Sequence, residues 1–260
     1  MSFFNVFLPT LRGIIELPKG IESFSLMQQF CQAIFPTNLL EASCNDYTIL
    51  SNRIILAFCN DTVTEFNDEL ISQFPGQVHY FDVVNSADIN DAISETEELP
   101  MEYLQSINHP SLPPSRLILK LGAPVILLRN IHPREGLCNG TRMAIIELSR
   151  TCIAVRILGG DFDGHCKLLP SIVLSTNEGE LPFILKRKQF PIRPCFSLTV
   201  NKSQGQLFQI IGIDLRTPAF CHGQLYVALS HVTSLNGLKV LLAPNVIYGE
   251  AAHNRDPAHP

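Results

Sequence analysis

No apolar run in the chain approaches the ~20 residues that cross a bilayer. The opening MSFFNVFLPTLRGII lacks a basic first region, a long apolar stretch and a small-residue cleavage site. These absences argue against a membrane anchor and a secretory leader. Paired metal ligands are also missing. The eight cysteines (Cys31, Cys44, Cys59, Cys138, Cys152, Cys166, Cys195, Cys221) form no C-x-x-C and have no paired histidine spacing, which argues against a zinc site or a disulfide framework and for a reducing compartment. No Ser/His/Asp or Cys/His constellation is arguable. Basic residues are scarce in the first 110 positions, where three Lys+Arg stand against fifteen Asp+Glu, a net −12. Residues 111–260 hold sixteen against nine, a net +7. A basic second part suits a polyanionic partner or a solvated surface.

What is present is enough for a globular core: 260 residues, 46% of them apolar. In SFSLMQQFCQAIF, Leu26, Phe30 and Ile34 recur at helical steps, so residues 1–48 read as a connector with one helix. Arg53 to Cys59 reads as a buried strand. A helix follows, with Thr62-x-x-Glu65 in the form of a capping box and Val63, Phe66, Leu70, Ile71 and Phe74 as its apolar stripe. Strand then helix is half of a parallel α/β unit. Asp82 to Pro100 is acidic and reads as a solvated loop or exposed helix. NHPSLPP (108–114) then punctuates the chain.

Between Arg116 and Ser175 come β-rich runs separated by Cys138-Asn139-Gly140 and Gly159-Gly160-Asp161, the pattern of a small barrel or sandwich of about five strands. Arg129, Arg134 and Arg142 cluster at its turns as candidate nucleic-acid backbone contacts. The α/β pattern resumes in QFPIRPCFSLTVNKSQGQ (189–206), where a strand from Cys195 to Val200 runs into a polar cluster. Lys202 offers a point charge, Thr199 and Ser203 offer hydroxyls, and Gly205 allows close backbone approach, so the turn suits a phosphate. The plainer reading is a strand-to-helix turn with Ser203 as N-cap. QIIGIDL (209–215) reads as a strand and HGQLYVALSH (222–231) as a helix with Ser230 and His231 at its end. Leu238 to Ala243 reads as a last strand, followed by a disordered tail.

The ordered set LKLGAPVILLRNIHPREGLCNGTR, KRKQFPIRPCFSLTVNKSQGQ and HGQLYVALSHVTS resembles the C-terminal half of petite-integration-frequency-type DNA helicases, especially those of Helitron transposons. The resemblance implies a superfamily-one motor whose two RecA-like domains hydrolyse ATP with magnesium at their interface and translocate 5′ to 3′ on single-stranded DNA. It implies a RecA-like second motor domain at 49–110 and 186–248, an inserted small SH3-like β-barrel at 111–185, and a tail at 249–260. NKSQG resembles helicase motif V, with Thr199, Asn201 and Ser203 near the DNA backbone and Lys202, Gln204 and Gly205 nearer the nucleotide cleft. Arg129 and Arg142 join the DNA contacts. QLYVALSHVTS resembles motif VI, which faces the ATP γ-phosphate.

Two departures shape the expected activity. The 260 residues contain no G-x-x-x-x-G-K-[ST] and no acidic Walker B strand, the parts that supply most nucleotide affinity and the metal ligands in phosphoryl transfer. His231 stands where the family has the arginine of A-L-S-R, and a neutral imidazole does not replace a permanently charged fork. The expectation is the C-terminal portion of an ATP-dependent helicase that binds ATP weakly and does not hydrolyse it alone, with a first motor domain and single-stranded DNA as partners. The alternatives are a non-enzymatic single-stranded nucleic-acid-binding module and a transposon remnant. An intracellular, nuclear location is implied by the family alone, and no metal ligand is assigned.

Overall fold

The computed structural model describes residues 20–43, 46–88, 99–107, 109, 112–217 and 224–243. In chain order the first elements are β1 (Glu22–Phe24), α1 (Met27–Ile34), α2 (Thr37–Ser43), a 3-10 turn (Tyr47–Leu50), β2 (Arg53–Ala57) and α3 (Asn60–Gln73). Then come β3 (His79–Asp82), β4 (Val84–Asp88), α4 (Met101–Ser106), β5 (Arg116–Leu119), β6 (Pro124–Leu127) and β7 (Arg142–Leu148). They are followed by β8 (Cys152–Ile157), β9 (Cys166–Pro170), β10 (Ile172–Ser175), β11 (Ile184–Gln189) and β12 (Ile192–Pro194). The last are β13 (Ser197–Thr199), a 3-10 turn (Val200–Ser203), β14 (Ile210–Asp214), α5 (Gln224–Ser230) and β15 (Leu238–Leu241). The fold is mixed α/β.

The described residues divide into two units, each discontinuous in sequence. The first holds residues 20–36, 52–63, 198–217 and 224–243, built on a sheet ordered β1-β15-β14-β2-β13. Within it β1 pairs parallel with β15, β15 with β14, and β14 with β2. Its central strands are continuous apolar runs, as strands covered on both faces must be: Ile54 to Ala57 and Ile211 to Ile213 are all buried. Helix α1 packs on β14 and β15 through Phe30, Cys31 and Ile34. Gly212 makes the close approach possible, because a Cβ there would stand 2.6 Å from Phe30 Cζ and closer still to Ile34 Cδ1. Residues 20–36 are therefore part of this sheet unit rather than a connector. Leu26 is exposed and precedes the helix, so the apolar stripe is Phe30, Cys31 and Ile34.

The second unit holds residues 37–43, 46–51, 64–88, 99–107, His109 and 112–197. Its largest sheet, β12-β6-β7-β8-β9, is antiparallel throughout. Leu117, Val125, Leu127, Met143, Ile153, Val155 and Phe190 lead its core, with Phe81 edge-on to Phe190 at 5.3 Å between ring centroids. The two Gly-bearing turns fall where the sequence places them, between β6 and β7 and between β8 and β9. A second antiparallel sheet, β10-β11-β4, and the pair β3-β5 complete the unit.

The boundary differs from the sequence expectation. The β-rich unit is not confined to 111–185, because it takes in most of α3, β3 and β4 before that range and β11 and β12 after it. The segment starting at Asp82 does not begin as a solvated loop: β4 pairs with the basic strand β11, setting Ser86 opposite Lys186 and Asn85 opposite Arg187. Helix α3 starts at Asn60, so Thr62 lies in its first turn with its hydroxyl 2.8 Å from Cys59 Sγ, and the capping-box reading does not hold. Residues 1–19, His222 and the tail lie outside the described residues.

Candidate nucleotide and nucleic-acid interface

The polar cluster Asn201 to Gly205 follows the edge strand of the parallel sheet. Extended backbone covers only Ser197 to Thr199, after which the chain tightens into the 3-10 turn Val200–Ser203. No side chain caps that turn at Thr199, and Ser203 closes it instead, its buried hydroxyl donating to the Val200 carbonyl at 2.7 Å. Ser203 is thus neither the N-cap of a following helix nor a hydroxyl presented to a backbone phosphate. Asn201, Lys202, Gln204 and Gly205 are exposed and Thr199 is half-buried. Gly205 has φ +80° with no neighbour near a Cβ, a backbone state glycine takes at little cost.

A polar residue on the buried face of α3 sets the approach to this turn. Asn67 Oδ1 accepts from the amides of Phe196 at 2.8 Å and Ser197 at 3.0 Å, and its Nδ2 donates to the Ser197 carbonyl at 3.2 Å. The sequence carries a sign of this. Asn67 falls between Val63 and Leu70 on the apolar stripe, where a polar side chain has to be satisfied inside the protein.

His231 lies on the same unit as the turn. Helix α5 packs against Val200–Ser203, and the backbone ties the two motifs, with the Phe208 amide donating to the His231 carbonyl at 2.9 Å and the Thr233 amide to the Phe208 carbonyl at 3.0 Å. The His231 ring is buried. Its Nδ1 is 3.3 Å from Ser230 Oγ, and its Nε2 has no hydrogen-bond partner among the described residues. Burial pushes its pKa below the ordinary histidine value, against a weaker upward pull from the nearby carbonyls of Val227 and Ser203. Burial thus disfavours the imidazolium, the form that could act as a cation toward a phosphate.

The two arginines assigned to DNA lie on the other unit. Arg142 is corrected by its surroundings: it is 4% exposed, and its guanidinium donates to the carbonyls of Ser51 at 2.8 Å and Leu50 at 3.2 Å. The strand that carries it turns it inward to cap the 3-10 turn Tyr47–Leu50. Arg129 is half-buried beyond the end of β6. At the carboxyl end of β14, Asp214 is buried and bound by Arg216 through Nε and Nη2, the latter at 2.9 Å. The sequence reading passed over this pair. Among the described residues no group of three His, Cys, Asp or Glu side chains could hold a metal. Lys202 is the described motif residue whose chemistry suits a nucleotide phosphate.

The family model described as DNA helicase Pif1, 2B domain, matches residues 102–148. The ATP-dependent DNA helicase PIF1 of Homo sapiens is 32% identical over 185 residues, covering 70% of this chain and 26% of that protein. The crystal structure of Bacteroides Pif1 bound to ssDNA aligns with TM-score 0.52 and 26% identity, covering 72% of this chain and 40% of that one. The chain belongs to the Pif1-type DNA helicase family. It spans about a quarter of the length of the curated relative, 26%. Bacteroides Pif1 in complex with ADP-AlF3 and ssDNA shares the fold of this Pif1-type chain, at TM-score 0.52 and 24% identity over 79% of it and 44% of that chain. The 2B match takes in most of α4 and the strands β5, β6 and β7 of the antiparallel β-rich unit.

Proposed function

We propose that these 260 residues form the second-motor-domain portion of an ATP-dependent 5′ to 3′ DNA helicase of the Helitron-like class. The first unit is its RecA-like part and the antiparallel unit carries the SH3-like barrel. The observation that carries this reading is the parallel sheet whose strand β13 feeds the exposed polar turn Asn201 to Gly205, with α5 and His231 packed beside it. Lys202, Gln204, Gly205 and His231 line the nucleotide side, while Thr199, Asn201 and Arg129 lie toward single-stranded DNA. Ser203 serves by shaping the turn. A glycine-rich phosphate loop and its magnesium ligands belong to the partner motor domain, and a nuclear location follows from the family.

The test joins this chain to a first motor domain from a Pif1-type relative. DNA-stimulated ATP hydrolysis should appear only in the joined protein and fall with Lys202→Ala. Hydrolysis by the 260 residues alone, lost in Lys202→Ala, would overturn the reading. In the joined protein His231→Arg should raise turnover, since an arginine at the γ-phosphate contributes about 10³- to 10⁵-fold where it acts fully. No change would remove His231 from motif VI.

A further inference from the structure

Strand β9 is an outer edge of the antiparallel sheet β12-β6-β7-β8-β9. Just before it, the Ile157 amide donates to the His165 carbonyl at 3.0 Å and the Gly164 amide to the Ile157 carbonyl at 2.9 Å. Backbone groups in an antiparallel pair alternate between facing the neighbouring strand and facing away. Arg156 stands opposite Cys166, Val155 opposite Lys167 and Ala154 opposite Leu168, so the backbone of Lys167 and Leu169 faces β8. That of Cys166, Leu168 and Pro170 faces outward. The edge thus offers the amides of Cys166 and Leu168 and the carbonyls of Cys166, Leu168 and Pro170, a set centred on Leu168. Leu168 is 67% exposed, with Cys166 and Pro170 exposed beside it. A lysine on an edge strand normally discourages pairing, but Lys167 is held by Glu135 at 2.7 Å with its side chain 19% exposed. Glu147 and Arg156 lie one and two strands further in, on β7 and β8, and the Arg156 guanidinium lies over the Tyr47 ring, 4.5 Å from its centroid.

We propose that β9 pairs antiparallel with β9 of a second copy of this chain, about a two-fold axis at Leu168, so that the two sheets become one. This pairing does not depend on the helicase reading. In this register the two Leu168 residues exchange both backbone bonds, and each Cys166 amide donates to the Pro170 carbonyl of the other copy. Every outward amide of both copies is used. Proline has no amide, and here it falls at the end of the pair, where one bond is lost. Charge favours a second copy in this orientation. The turn between β8 and β9 carries exposed Asp161, Asp163 and His165, and the turn between β7 and β8, at the opposite end, carries exposed Arg150. Antiparallel pairing sets the acidic turn of one copy at the end where the other has Arg150, whereas parallel pairing would bring the two acidic turns together. With Lys167 neutralised, β9 itself has no free cation for an acidic peptide or a nucleic-acid phosphate, so its complement is an uncharged extended strand like itself. The strand is only five residues long, which falls below the ~800 Å² per partner of a standard interface, so the pairing is weak.

Sedimentation equilibrium of the 260-residue chain under reducing conditions should show monomer and dimer exchanging between about 10 µM and 1 mM. Leu168→Lys and Leu168→Glu should each stay monomeric over that range and dimerise when mixed, because opposite charges then meet on the axis. Recovery on mixing also shows that both variants are folded. On mild oxidation Leu168→Cys should give a dimer linked through position 168, since Cα atoms of a hydrogen-bonded antiparallel pair stand about 5.5 Å apart, within disulfide reach. Leu121→Cys, at an exposed position off this edge, should give about tenfold less linked dimer, since nothing holds its two copies at that distance. A chain that stays monomeric at about 1 mM, a dimer that survives in Leu168→Lys, a mixture that stays monomeric, or equal linking at positions 121 and 168 would overturn the proposal. A monomeric chain that instead binds an uncharged extended peptide of unrelated sequence would overturn it in favour of a separate partner strand.

Discussion

Replacing Arg187 with methionine should unfold part of the antiparallel unit. The guanidinium is fully buried and donates to four acceptors: Asn85 Oδ1 and the Pro113 carbonyl at 2.9 Å each, and the Leu104 and Ile107 carbonyls at 3.1 Å each. Two of these carbonyls belong to the last turn of α4 and the residue following it, groups that a helix cannot satisfy internally. Methionine fills similar volume without donors, leaving three buried oxygens and the part-buried Ile107 carbonyl, each buried one costing about 1–3 kcal/mol. Removing the cation recovers part of its burial penalty, the same desolvation that lowers the Arg187 pKa. Set against that recovery, the orphaned oxygens should leave a net loss of about 3 kcal/mol. With an m-value of about 2 kcal/mol/M, the urea midpoint of this unit should fall by more than about 1 M. The chain has no tryptophan, so circular dichroism follows the transition. Hydrogen exchange should localise the effect by deprotecting Met101–Ser106 while leaving β14 protected. A loss under about 1 kcal/mol with α4 still protected would refute the reasoning, since the carbonyls would then have found water.

Asn67→Leu should cost about 3 kcal/mol, because it orphans two amides and a carbonyl at Phe196 and Ser197; a thermal melt checks this, and a neutral outcome would remove Asn67 as the residue that fixes the approach to the turn. Gly212→Ala should destabilise the parallel-sheet unit by about 1–3 kcal/mol through contact with Phe30 and Ile34, read as a lowered urea midpoint. The buried His231 resists protonation when folded, so the unfolded chain binds more protons once pH falls below the unfolded value of about 6.5. Stability should therefore be full above that pH and decline below it toward the depressed folded pKa, by at most about 1.4 kcal/mol per pH unit. His231→Leu should flatten this part of the pH dependence, and equal slopes in both proteins would refute it.

Period and punctuation made much of the fold legible. RIILAFC and QIIGIDL are continuous apolar runs, and they became neighbouring parallel strands. Long-range pairing was not legible: nothing local to Asp82–Asp88 announces that it will pair with residues a hundred positions away. The division into units suffered for the same reason, because α3 has a strand-then-helix signature yet contributes most of its length to the antiparallel unit. At the candidate site Asn201, Lys202, Gln204 and Gly205 are exposed, whereas the Ser203 hydroxyl and the Arg142 guanidinium are turned inward onto backbone carbonyls. Residue type alone cannot separate a hydroxyl that binds a ligand from one that closes its own turn, and the Ser203 bond to Val200 makes that distinction.

Arg142 belongs to a wider pattern that changes the meaning of the charge imbalance. Among the described residues no α-helix carries a basic residue in its last turn, where a cation would normally complement the orphan carbonyls. Distant basic residues take that place. Arg53 donates to the Ile34 carbonyl at the end of α1, Lys120 to the Ser72 and Phe74 carbonyls at the end of α3, Arg142 to the Leu50 and Ser51 carbonyls, and Arg187 to the end of α4. Three of these four lie beyond Pro110, in the part whose net charge is +7. Burial lowers the pKa of Arg53, Lys120 and Arg187, and each donates to neutral oxygens, all of them backbone carbonyls except Asn85 Oδ1 at Arg187. A share of the positive charge that suggests a polyanionic partner is therefore consumed inside the protein. Lys202 on one unit and Lys188 on the other are basic residues that remain exposed. Any salt dependence of DNA binding should accordingly be shallower than the sixteen basic residues of the C-terminal part would give.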